Sequence, residues 1–84
     1  MKTKYEVRFT PRFSKNIRVL SREDQIKVFQ ETKILETDPY AGKPLRGEWK
    51  GVYSLRVGAY RVLYQVKGKE VILLIMGHRK HVYG

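Results

Sequence analysis

The chain contains no cysteine, which excludes a disulfide framework and any thiolate chemistry. No apolar run is long enough to span a bilayer. The first residues lack the uninterrupted apolar segment of a signal peptide, so a cytoplasmic location and no membrane partner are expected. Acidic residues are scarce, 8 Asp and Glu against 18 Lys and Arg, and they form no acid pair of the glycosidase kind. No glycine-rich, phosphate-cradling motif is present. His78 and His81 are the only histidines, and no cysteine or nearby carboxylate completes a metal set around them, so neither metal nor cofactor is expected.

What remains is positive charge on an ordinary globular composition. The 84 residues fit a single domain, residues 1–84, with a small core. The formal net charge of +10 says little about fold and much about partners. Nucleic acid ranks first, because clustered Lys and Arg displace counterions from phosphates. An acidic protein ranks second. An anionic membrane surface is a weak third, since no strongly amphipathic apolar helix is evident.

The best-defined stretch is Tyr53 to Val66, YSLRVGAYRVLYQV. Its alternation makes two strands, with Tyr53, Leu55, Val57, Tyr60, Val62, Tyr64 and Val66 on one face. Gly58 suits the first position of a type II′ turn. With Gly58 and Ala59 as the loop, Arg56 lies opposite Arg61. Like charges so placed destabilise a hairpin, which suggests an anion between them; a solvated face with splayed arginines is the alternative. Leu63 is the exception on the polar side.

Before the hairpin, Lys4–Thr10 alternates as a strand, and Thr10-Pro11 caps a helix expected to reach about Leu20. Ser21 caps a second helix ending near Thr37, before Pro39. Ile26, Phe29 and Leu35 mark its expected buried stripe, with Val28 and Ile34 beside it. Asp38–Lys50 reads as a basic loop pinned by Tyr40, Leu45 and Trp49. After the hairpin, Glu70–Met76 is apolar on both faces, as a central or covered strand would be. The fold class is therefore α+β, ordered β-α-α-β-β-β, an antiparallel sheet with a two-helix hairpin packed on one face. The side groups available for chemistry are Arg, Lys, Tyr and His, which suit binding an unpaired RNA base and its phosphate, or cleaving RNA without metal.

Three motifs carry a resemblance: LRG at Leu45–Gly47, VYSLRVGAYRVLYQV, and GHRKHVY at the end, supported by the TPRFSKNIRVL opening. Together they resemble the RelE/ParE toxin superfamily, nearest the RelE branch, over almost the whole chain. The resemblance implies a ribosome-dependent endoribonuclease that cuts the mRNA codon in the A site. It implies a cognate acidic antitoxin of RelB type, in a toxin–antitoxin hetero-oligomer. It implies catalytic roles for Arg61 at the scissile phosphate, Arg79 in transition-state stabilisation or proton donation, and Tyr83 in stacking on the substrate. Arg46 matches a residue that helps hold RNA. Arg56 and Ser54 fall where a well-studied form has two lysines, the first often assigned as general base. Ser54 departs from that pattern and leaves the base open to His78, His81 or Tyr83. Lys43 and Lys50 add general electrostatics for RNA. The competing functions are a ParE-like gyrase inhibitor and a non-catalytic nucleic-acid-binding module of the same fold.

Overall fold

The computed structural model describes residues 4–82. Five strands and two helices follow in order: β1 (Glu6–Phe9), α1 (Pro11–Arg18), α2 (Arg22–Thr32), β2 (Lys43–Pro44), β3 (Tyr53–Val57), β4 (Tyr60–Lys67) and β5 (Glu70–His78). They make one sheet in the order β1-β5-β4-β3-β2. Strands β3, β4 and β5 form the expected antiparallel meander, and β1 joins β5 in parallel. The α+β class holds. The short strand β2 lies within the segment read from sequence as a loop, paired with Ser54 and Tyr53.

The helices begin where their caps dictate. The Phe13 N–H donates to Thr10 Oγ1 at 3.1 Å, and the same hydroxyl donates to Leu74 O at 2.6 Å, fastening α1 to β5. The Asp24 N–H donates to Ser21 Oγ at 3.1 Å, with Glu23 and Asp24 in the positive first turn of α2. The helix stops at Thr32 and tightens into a 3-10 turn, Lys33–Glu36.

Its buried stripe is Val28, Thr32 and Leu35, not the Ile26 and Phe29 expected. Ile26, Phe29 and Ile34 are 48%, 45% and 50% exposed. Apolar residues occur on several sides of this helix, so counting them did not fix its rotation. The i, i+4, i+7 set of Val28, Thr32 and Leu35 is the one that faces the sheet, and Thr32 satisfies its hydroxyl by donating to Phe29 O.

One core lies between helices and sheet: Phe13, Ile17, Val28 and Leu35 against Val57, Val62, Tyr64, Val71, Leu73 and Met76. Leu63 is fully buried yet outside that cluster, on the opposite face, so this second face is not wholly open. Strand β5 carries a bulge: Leu63 pairs with Ile75 but Tyr64 with Leu73, leaving Leu74 as the extra residue. Beyond Leu73, β1 no longer covers the edge of β5. There α1 takes its place, and the Met76 N–H donates to Asn16 Oδ1 at 3.0 Å. Among the described residues, no helix is long and apolar enough to cross a membrane.

Candidate active site

The β3–β4 hairpin sets the geometry. Gly58 has φ 59°, and no described non-glycine residue has positive φ, as a type II′ turn requires. Arg56 pairs directly with Arg61, so both side chains leave the sheet on the face away from the helices. They diverge along it. Arg61 Nη1 reaches back to donate to Ser54 Oγ at 3.5 Å, while Arg56 Nε donates forward to Gly58 O at 3.5 Å. Divergence relieves the repulsion and leaves a positive floor between the two ends. The ion pairs found among the described residues, Arg8 with Glu6 and Glu70, sit near the start of β5, whereas Arg61 pairs near its end.

Ser54 is 2% exposed, and its hydroxyl oxygen accepts from the Arg61 guanidinium. Its cross-strand partners are Leu63 on β4 and Lys43 on β2, so Lys43 shares this face. A groove of about 520 Å³ runs beside it, lined by Lys43, Pro44, Leu45 and Arg46. Lys50 is exposed just past the 3-10 turn Gly47–Trp49. Leu45 and Trp49 are half-buried, and Tyr40 is exposed but rests its ring edge-on against Tyr53 at 5.5 Å. The groove is anchored from beneath by Tyr64, whose buried hydroxyl accepts the Gly42 N–H at 2.9 Å and whose ring stacks on Tyr53.

The segment after β5 folds back toward the hairpin. The Arg79 N–H donates to Ala59 O at 2.9 Å, tying that arginine's backbone to the hairpin turn. The Val82 N–H donates to His78 O, and Val82 packs over Gly77, the cross-strand partner of Arg61. Tyr83 lies outside the described residues. His78 pairs with Tyr60, with the rings edge-on at 6.2 Å, and so leaves the sheet on the helix side rather than beside Arg61. The cause is the bulge at Leu74, which inverts the alternation of the rest of β5. His81, its ring centroid 6.0 Å from that of His78, lines a cleft with Arg12, Asn16, Ile75, Met76, Gly77 and Val82. The sequence places Arg12 and Asn16 on the polar side of the first helix, at i, i+4 spacing, without marking either as a site residue. No group of three His, Cys, Asp or Glu converges among the described residues.

A five-stranded sheet backed by two helices is a fold this chain shares with solved RelE-type toxins. The family model for the ParE toxin of type II toxin–antitoxin systems (parDE) matches residues 7–83, and the chain belongs to that family. Toxin RelG of Mycobacterium tuberculosis is 43% identical over 44 residues, which cover 50% of this chain and 51% of RelG, about half the length of each. A chain of the RelBE2 toxin–antitoxin complex from the same organism superposes with a TM-score of 0.85 at 32% identity, covering 94% of this chain and 95% of that one. A chain of the archaeal RelE–RelB complex of Pyrococcus horikoshii OT3 gives 0.78 at 25% identity, covering 94% and 99%.

Proposed function

We propose that the protein is the toxin of a type II toxin–antitoxin pair and that it cleaves mRNA in the ribosomal A site. The observation that supports this best is the convergence of Arg56, Arg61 and the backbone of Arg79 on the end of one hairpin. An RNA strand crossing that face meets fixed guanidinium groups at its phosphates. Cleavage follows if the 2′-oxygen attacks the adjacent phosphorus as the bond to the 5′-oxygen breaks. The products are a 2′,3′-cyclic phosphate and a free 5′-hydroxyl. Arg61 stabilises the charge growing on the non-bridging oxygens. One proton leaves the 2′-hydroxyl and one reaches the 5′-oxygen. The groups available for these transfers are His78 and His81, whose ring centroids lie 6.0 Å apart.

Neutralisation falls to an acidic antitoxin. Its carboxylates meet the arginines, and an apolar segment of it covers Phe9 and Phe29. These are 51% and 45% exposed, 6.3 Å apart between ring centroids, and line a groove of about 250 Å³. The test is to map mRNA 5′ ends on translating ribosomes with and without the purified protein. New ends within A-site codons are expected. Intact mRNA together with trapped gyrase–DNA cleavage products would replace this function with that of a gyrase poison.

A further inference from the structure

The bulge in β5 is held from outside the sheet, by the residue that caps α1 and a side chain of that helix. In a regular strand, successive carbonyls point to opposite edges. Before the bulge, Lys69 O and Leu73 O face the β1 edge, where they accept the Glu6 and Thr10 N–H groups. Leu74 O turns to that same edge, and the Thr10 hydroxyl donates to it at 2.6 Å. One residue thus holds two consecutive carbonyls. Past the bulge the phase is inverted, and the Met76 N–H faces outward to Asn16 Oδ1 at 3.0 Å. The Thr10 hydroxyl and Asn16 therefore bind groups that face them in only one phase of the strand.

The other phase is a slip by one residue. Without the bulge, Leu74 would pair with Leu63, Ile75 with Val62 and Met76 with Arg61, whereas Gly77 now pairs with Arg61. Apolar burial does not forbid the slip, since it exchanges Met76 for Ile75 in the core. The basic face would change, however. The Met76 side chain would stand beside Arg61, and the segment after β5 would move by one residue, about 3.3 Å. The Arg79 N–H would leave Ala59 O, its present acceptor. We propose that Thr10 and Asn16 are positioning residues: they select the bulged phase, and through it keep Gly77 opposite Arg61 and Arg79 at the hairpin turn. The effect on cleavage rests on the nuclease function proposed above; the choice of phase can be measured without it.

Asn16→Ala removes one acceptor and leaves the Thr10 cap of α1 in place, whereas Asn16→Asp keeps an acceptor. Relaxation dispersion of the Gly77 and Arg79 amides measures the slipped population. Asn16→Ala should raise it about fivefold over wild type, the worth of one ordinary hydrogen bond, and Asn16→Asp should bring it back. Thr10→Val combined with Asn16→Ala should make the slipped form visible directly, as a backbone NOE from Arg61 to Met76 beside the one to Gly77. Deleting Leu74 leaves every later pairing as it is and removes the extra residue, so Asn16→Ala should then raise no exchange. Unchanged exchange in Asn16→Ala, or an effect that persists after the deletion, would overturn the selection of phase. Single-turnover cleavage on ribosomes should fall in proportion to the bulged population, at unchanged ribosome affinity. Cleavage at the wild-type rate by a variant shown to be slipped would overturn the positioning role. A wild-type protein that cuts no mRNA while the exchange pattern holds would overturn the nuclease alone.

Discussion

Removing one oxygen atom, Tyr64→Phe, should loosen the basic groove from below. The Tyr64 hydroxyl accepts the Gly42 N–H at 2.9 Å where both residues are buried. Phenylalanine keeps the ring and its stack on Tyr53 but leaves that N–H without its acceptor. An unsatisfied buried donor costs about 1–3 kcal/mol. For a domain of this size, 1 kcal/mol corresponds to roughly 4–8 °C in Tm. Gly42→Ala strikes the same contact from the other side. A Cβ at Gly42 would lie 2.7 Å from the Tyr64 hydroxyl and 2.9 Å from the Ser54 carbonyl oxygen, so the hydrogen bond must stretch or the strand must move. Because both changes break one interaction, their costs should not add, and the double variant should be more stable than the sum implies. Urea unfolding of the four proteins, read at the midpoint with unchanged slope, gives the cycle. A Tyr64→Phe cost below about 0.5 kcal/mol, the size of an ordinary surface change, or strict additivity, would refute the anchor.

The alkaline limb offers a companion test: burial raises the Tyr64 pKa above its ordinary 10.0. Above that pH the unfolded state loses this proton while the folded state keeps it, so stability should fall as pH rises past about 10, and fall less in Tyr64→Phe. Ribosome affinity should weaken steeply across a salt series, since much of it is counterion release; a flat response would make the +10 charge incidental. Phe29→Glu should weaken antitoxin binding by tenfold or so, about 1.4 kcal/mol, and leave mRNA cleavage near wild type. Unchanged antitoxin affinity in a calorimetric titration would move the partner's apolar contact elsewhere.

The hairpin was legible because its pattern is doubly determined. Alternation set the faces, and Gly58 set the turn, so Arg56 opposite Arg61 followed directly. Thr10-Pro11 and Ser21 announced both helices by capping chemistry alone. The rotation of α2 was not legible, because Ile26 and Phe29 are as apolar as the residues that face the sheet. Strand β2 was hidden by its two-residue length and by Pro44. The bulge in β5 was invisible for a different reason. EVILLIM is apolar on both faces, so no change of phase shows in it, yet that phase decides that Gly77 rather than His78 stands beside Arg61. Tertiary proximity of Arg12 and Asn16 to the end of β5 depends on where β1 stops, which no local pattern records.

The central claim is that Arg61 faces charge that develops only during cleavage. Single-turnover cleavage of an A-site codon by wild type and Arg61→Ala, measured beside ribosome affinity for both, tests it most directly. Affinity should change little, because the proposed function spreads it over many of the 18 Lys and Arg residues. The rate should fall on the order of a hundredfold or more, the usual loss when one such donor is removed. Arg61→Lys should recover only part of it, since a point charge does not replace a planar fork. Cleavage by Arg61→Ala at the wild-type rate would contradict the assignment.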